Sequence, residues 1–416
     1  MKKSNVECPR VALQIEKNRA HGRALLEGIA DYALERTDWR LELVDSESVQ
    51  SVSSVRKFDG LIVRVMDDAT ADVLRKARRP VVDTYGRIDN NPLPSVRLDD
   101  AAISEVAFKC FAEHHYHAFA YCGFPGVRFS DARGEVFASF AEKAGAAVSL
   151  YDGKGAVTDK FFRDEKTDVL DAAALSAWLK KLPKPIALFC CNDLRAVQVM
   201  RVCANLGLNV PKDIAVLGVD NDVLLCTFTK PSLSSVWTDP FSLGRRAAEM
   251  LDDQMRSKGR KSKGAKPVSP CLWKPKKVVE RVSTDAYPFK TPWLADAVRY
   301  IRRNFAKGVT AKDVDTFIGY SHPKVNQVFN EELGHAVKKE ILLQRTRHAC
   351  SLLRETNLSI GEISDRCGYQ RVQYFASSFA EEFKMTPLAW RTRFFSKSVT
   401  VSSRSGIDRS AVRVYT

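Results

Sequence analysis

The sequence predicts a two-lobed α/β body built on parallel sheets, followed by an all-α C-terminal domain with two helix-turn-helix motifs. Three observations carry this. Short apolar runs alternate with amphipathic stretches from residue 10 to 255, the pattern of strands and crossover helices in a parallel sheet. Two capping boxes, Thr310 with Asp313 and Ser359 with Glu362, each open a short helix that a glycine closes, Gly319 and Gly368. The charge is uneven: residues 290–416 hold 21 Lys+Arg against 12 Asp+Glu, and residues 256–281 hold 10 against 1. A near-neutral body with a basic end is the footprint of a polyanion binder.

The elements follow in order. Residues 10–15 read as a buried strand. A polar turn over 16–23 leads to a helix with Leu25, Leu26, Ile29 and Ala33 on one face. Strands follow at 41–44, 58–63 and 79–83. Residues 95–99 lead into a helix over 101–114, and 118–122 is a strand that begins a second lobe. A loop over 123–130 and a helix over 134–144 come next. Strands at 186–190 and 214–219 end in Asn192-Asp193 and Asp220-Asn221-Asp222. Residues 233–237 read as a crossing strand, and 241–255 as a helix returning to the first lobe.

In the second helix-turn-helix, Ile363 and Cys367 face inward. The next helix carries Val372, Phe375, Phe379 and Phe383 on an apolar face. Its outer face offers Gln370, Arg371, Gln373, Tyr374 and Ser377, and Thr386-Pro387 caps a third helix. The first motif repeats the plan. Val314 and Ile318 are buried candidates, Ser321 caps a helix, and Pro323 falls in its first turn, where a missing N–H costs little. Val325, Val328 and Phe329 face inward, while His322, Lys324, Asn326 and Gln327 face outward. Arg, Gln and Asn have the fork geometry that reads base edges in a major groove. A helix over 336–354 joins the motifs and spans about 28 Å, which sets two reading helices about one duplex turn apart.

Composition excludes several classes. The chain of 416 residues holds about three domains' worth of sequence. Its 10 cysteines form no CxxC pair, so buried thiols in a reducing compartment are expected rather than a metal site. His114, His115 and His117 lack a supporting thiolate or carboxylate cluster. Gly153-Lys154-Gly155 lacks the rest of a phosphate loop and reads as a turn. No signal peptide and no apolar run of 18 residues appears, so a cytoplasmic protein without a membrane span is expected. No nucleophile stands with a base and an orienting group. No enzyme, cofactor or metal is expected.

Residues 352–360, with Glu362-Ile363, Cys367-Gly368-Tyr369, Gln373-Tyr374-Phe375 and Met385-Thr386-Pro387, resemble the arabinose-regulator type of DNA-binding domain. Gly218-Val219-Asp220-Asn221, Cys191-Asn192-Asp193, Pro231 to Val236 and Val210 to Ile214 resemble the sugar-sensing domain of the lactose-repressor and periplasmic-binding-protein superfamily. A sensor followed by two such motifs resembles the bacterial xylose operon regulatory protein family, from residue 11 to 393. The resemblance implies a periplasmic-binding-protein-like sensing domain over 8–285, with a basic loop over 256–277. A DNA-binding domain over 290–395 and a tail over 396–416 follow. It further implies an activator with a monosaccharide effector, xylose, binding double-stranded DNA as a homodimer and contacting RNA polymerase. The alternative is the same architecture answering to another monosaccharide, or to a partner through a degenerate sensor.

A sugar presents hydroxyls that both donate and accept, so its site needs carboxylates, amides and Arg in fixed positions. In open α/β sheets these collect beyond the C-terminal strand ends. Asp220, Asn221, Asn192 and Asp193 stand at two such ends. Arg133 follows the strand through Cys122 by one loop, and Arg23, beside His21, lies just after the first strand. Asp193 has a second reading as a helix cap, and Asp83 and Asp99 read as turn or cap residues.

Overall fold

The structure, a computed structural model, describes residues 8–86, 88, 93–153, 171–257 and 270–394. The chain divides into two compact units, 1–288 and 289–416. The candidate loop over 256–277 falls largely outside the described residues, as do Lys154, Gly155 and the tail after residue 394.

The first unit holds two lobes. In the first lobe, β1 (Arg10–Gln14), α1 (Ala20–Arg36), β2 (Arg40–Leu43), α2 (Val52–Val55), β3 (Gly60–Val63), α3 (Asp68–Ala77) and β4 (Val81–Asp83) alternate. The strands pair in parallel in the order β2-β1-β3-β4. Strand β3 is buried throughout, because α-helices cover both faces of the sheet. Helix α1 starts at Ala20, so His21 and Arg23 lie in its first turn rather than in a preceding turn.

After β5 (Val96–Leu98), the second lobe opens with α4 (Asp100–Glu113), whose Ile103, Ala107 and Phe111 join Phe119 and Phe137 in its core. It continues through β6 (Phe119–Cys122), α5 (Arg128–Lys143), β7 (Val148–Leu150) and α6 (Ala172–Lys181). Then come β8 (Ile186–Cys190), α7 (Asp193–Asn205), β9 (Ile214–Val219), α8 (Val223–Phe228) and β10 (Ser234–Trp237). Helix α9 (Pro240–Arg256) returns to the first lobe. There Leu243, Ala247, Ala248 and Leu251 join Val11, Leu25, Ile29 and Ile62 in one core. The contact is close: a Cβ on Gly28 would sit 1.9 Å from the Phe241 carbonyl oxygen, and one on Gly244 2.1 Å from that of Leu25. Only glycine lets α1 and α9 approach so nearly.

Strand β10 is a full member of the second sheet, parallel to β9, rather than a crossing strand. The sheet order is β12-β10-β9-β8-β6-β7, closed on one side by the antiparallel β12 (Lys277–Val279). The connection between lobes is reinforced by β5 pairing in parallel with β11 (Cys271–Trp273). Asp83 accepts backbone N–H groups from Val65, Tyr85 and Gly86, and Asp99 caps α4 through Ala102. Asp99 is the local cap its sequence context suggests, while Asp83 holds its own turn and also ties the end of β4 to that of β3.

The second unit is helical among the described residues. It comprises α10 (Pro292–Asn304), α11 (Ala311–Ile318), α12 (His322–Leu333), α13 (Val337–Glu355), α14 (Ile360–Arg366), α15 (Val372–Phe383) and α16 (Pro387–Phe394). Both capping boxes form: Thr310 with Asp313, and Ser359 with Glu362, each make the reciprocal pair of side-chain-to-backbone hydrogen bonds. Ser321 stands at the start of α12 but makes no side-chain cap bond. Phe375 and Phe379 are buried with Trp390, Leu353, Ile363 and Cys367. Val372, expected on that inner face, is exposed instead, because it is the first residue of α15 and lies beyond the core's edge. No helix among the described residues is long and apolar enough to cross a membrane.

Candidate ligand cleft and nucleic-acid interface

The C-terminal ends of the parallel strands of both lobes line one cavity of about 300 Å³. That is the lower end of the range for small-molecule sites. From the first lobe come Glu16 beyond β1, Arg64 beyond β3, and Thr84 with Tyr85 beyond β4. From the second come Asn192 and Asp193 beyond β8, and Asp220 beyond β9. Leu98, Phe129, Leu224 and Leu225 supply apolar surface.

Asp220 is a partly exposed carboxylate of the cavity lining. Its side chain is 27% exposed, and its Oδ1 lies 3.7 Å from His21 Nδ1 on the opposite lobe. Burial pushes its pKa above the usual carboxylate value, while His21, Arg133 and Arg19 pull the other way. Its backbone is left-handed, with φ +106°, and Asn221 follows at φ +53°. Such a conformation persists only when neighbours over-determine it. The Asp220 N–H donates to the Val236 carbonyl, Asn221 N–H to Ser235 Oγ, and Asp222 N–H to Asp193 Oδ2.

Asp193 is thereby the support of the Asp220 loop. It is buried, and its Oδ1 accepts from Ser235 Oγ at 2.6 Å. The helix cap is Asn192 instead, whose Oδ1 accepts from the Arg195 N–H at 2.9 Å. Burial, and then the neighbouring Asp220 charge, lift the Asp193 pKa well above the carboxylate range. A raised folded pKa contributes stability below the unfolded value, and that contribution is lost as pH rises. Asp193→Asn should therefore gain stability relative to the unmutated chain as pH is raised from 5 to 8. Thermal unfolding at a series of pH values checks this, and a difference that stays flat would refute it.

Arg133 lies one loop beyond β6, inside α5, which starts at Arg128 rather than at Gly134. It is buried, and Nη2 donates to Asp100 Oδ1 at 2.9 Å, while Nη1 donates to the Cys191 carbonyl. It lines the cavity as an already neutralised cation. Arg23 also lines the cavity, and its Nη1 donates to the Asn18 carbonyl at 2.7 Å and to that of Lys17 at 3.3 Å, closing the loop after β1. Asn221 is not among the lining residues. Its Oδ1 accepts from Arg281 Nη2 at 2.8 Å.

Glu16 and Arg64 escaped the sequence reading. They pair across the first-lobe wall of the cavity, and Arg64 lies 4.7 Å over the Tyr85 ring. Burial alone would raise the Glu16 pKa, but Arg64 and His21 outweigh it and hold the pKa down. The signal was present, since each stands within two residues of a strand's C-terminal end.

On the second unit, His322, Lys324 and Gln327 are exposed on α12, and Gln370, Arg371, Gln373, Tyr374 and Ser377 are exposed at the start and outer face of α15. Asn326 differs: its Oδ1 accepts from the Val337 N–H at 3.1 Å, and its Nδ2 meets His322 Nε2 at 2.7 Å. His322 Nδ1 in turn meets Asp315 Oδ2 at 2.7 Å. Both residues are therefore tied into the fold. Ser377 Oγ donates back to the Gln373 carbonyl.

Residues 108–284 match a periplasmic binding protein-like domain, and residues 316–393 match a helix-turn-helix domain. The xylose operon regulatory protein of Escherichia coli (strain K12) is 27% identical over 92% of this chain and 96% of its own length. That of Haemophilus influenzae is 27% identical over 92% of this chain and 98% of its own. A solved structure of a xylose-binding transcription activator superposes with TM-score 0.57 at 26% identity, covering 94% of this chain and all of that one. The chain is a homologue of the xylose operon regulatory proteins, a transcription regulator with a periplasmic binding protein-like domain and a helix-turn-helix domain on one polypeptide.

Proposed function

We propose that the chain is a cytoplasmic activator of pentose-utilisation genes whose first unit, over 8–285, binds xylose. Its second unit, over 290–395, reads DNA as part of a homodimer. The observation that carries this is the cavity where Asp220 and His21 face each other from opposite lobes, 3.7 Å apart. Asp220 accepts from sugar hydroxyls there, Asn192 supplies an amide, and Phe129 offers a ring for the apolar face of the sugar. A sugar bound to both lobes shifts the equilibrium towards the closed form by its differential affinity for that form. The closed form sets the geometry in which Lys324 and Gln327 of α12, and Gln370, Arg371, Gln373, Tyr374 and Ser377 of α15, meet successive major grooves. RNA polymerase is the downstream partner. The chain binds its sugar unchanged, without turnover.

The test is calorimetry of the purified chain with D-xylose, other aldopentoses and hexoses. Heat with xylose in preference to the others is expected. Heat with a different sugar only would reassign the effector, absence of heat with all would point to a sensor answering to another partner, and a product would make the chain an enzyme.

A further inference from the structure

We propose that Arg345, on the helix between the two helix-turn-helix motifs, is a positioning residue that fixes the spacing of the two reading helices. This rests on the DNA-reading function above and adds a clamp that neither motif contains alone.

Helix α13 joins the motifs, but a helix by itself sets only a length. Rotation and tilt at its two ends stay free unless something outside it ties the motifs together. Arg345 does so. From the middle of α13, its Nε donates to the Phe305 carbonyl at 3.3 Å and its Nη2 to the Val309 carbonyl at 3.0 Å. Those carbonyls belong to the turn that leads into α11, the first helix of the first motif. The same guanidinium lies 5.1 Å over the ring of Tyr369, which directly follows the turn glycine of the second motif. Tyr369 is buried and packs on Phe375, the inner anchor of α15, at 5.3 Å. One side chain thus touches the entry of the first motif and the turn of the second.

A second contact supports the clamp. Gly368, at φ +74°, brings the turn of the second motif against the same segment: a Cβ there would sit 2.2 Å from the Phe305 carbonyl oxygen and 2.9 Å from Gly308 N. The two turns therefore meet backbone to backbone, and no side chain fits between them. Arg345 is half-buried and forms no carboxylate ion pair among the described residues. A guanidinium held only by carbonyls and a ring is a costly arrangement for stability alone. Its fork geometry suits joining two carbonyls and a ring face at once, which a lysine cannot reproduce.

The experiment is selection of duplexes from a randomised double-stranded DNA library by the full chain, followed by sequencing. The unmutated chain should enrich paired subsites at one spacing. Arg345→Met should enrich the same subsite sequences at several spacings, with affinity for the best paired duplex reduced about tenfold. Arg345→Lys, which keeps the charge but not the fork, should give an intermediate spread, and it decides the matter if Arg345→Met fails to fold. A single unchanged spacing in the folded variants would overturn the clamp. Hydrogen exchange without DNA is the independent arm. Amides of Val309 to Ile318 should exchange faster in the variant, and unchanged exchange would overturn the proposal. If the unmutated chain enriched no duplex, the DNA-reading function would fall while the exchange arm still decided the clamp.

Discussion

Asp220→Asn should reduce sugar affinity by about a hundredfold, near 3 kcal/mol, while the melting temperature of the sensing unit stays within a few degrees. The size follows from chemistry: a carboxylate bonded to one or two sugar hydroxyls contributes about 1.5–3 kcal/mol per bond, and an amide keeps shape but loses the charge. The fold is spared because the loop is held by its backbone. The Asp220, Asn221 and Asp222 N–H groups are all engaged with Val236, Ser235 and Asp193, and the Asp220 side chain takes no part in those bonds. Alanine is the poorer probe, since residue 220 sits at φ +106°, where Asn is better tolerated than Ala. Titration calorimetry with the effector checks the prediction. Affinity within threefold of the unmutated chain would remove Asp220 from the site.

Arg195→Met should cost about 3–5 kcal/mol of unfolding free energy in the sensing unit, the usual loss when one partner of a buried ion pair is removed. Arg195 is fully buried. It donates to Asp171 at 3.0 and 2.6 Å and to Gln198 Oε1 at 3.0 Å, between the rings of Phe124 and Tyr151, each 5.0 Å away. Methionine fills space but leaves the Asp171 carboxylate with the Tyr151 hydroxyl at 2.7 Å. Burial alone would raise the Asp171 pKa, yet Arg195 holds it below the usual value. Its stabilising contribution is thus present above the unfolded carboxylate pKa and lost on acidification. The gap between variant and unmutated chain should shrink as pH falls below about 4. Urea unfolding at pH 7 and pH 3.5 measures both effects, and a loss under about 1 kcal/mol at pH 7 would show the pair to be dispensable.

The contrast between these residues shows what a sequence discloses. Asp220 was legible because it directly follows an apolar strand, and strand ends are where a parallel sheet exposes polar groups. The same rule applies to Glu16 and Arg64, yet Glu16 opens a polar stretch that reads equally well as turn, and Arg64, set between Val63 and Val65, reads equally well as one charged position in an apolar run. Arg133 was legible as a residue one loop beyond its strand, while Gly134 hides the true start of α5 at Arg128. Arg195 and Asp171 lie 24 positions apart and meet only through tertiary packing, so no local pattern announces them. The capping boxes and turn glycines of the second unit were readable because each is complete within a few residues. Asn326 carried the right chemistry for base reading, but its partner at Val337 lies in the next helix.

That last contact limits how freely operator preference can be recoded. Asp315, His322, Asn326 and the Val337 N–H form a relay through three successive helices. Exchanging Lys324 or Gln327 alters only what the surface offers to a base edge. Exchanging His322 or Asn326 also unties the start of α13, so a library meant to retarget the first motif has two open positions on this face rather than four.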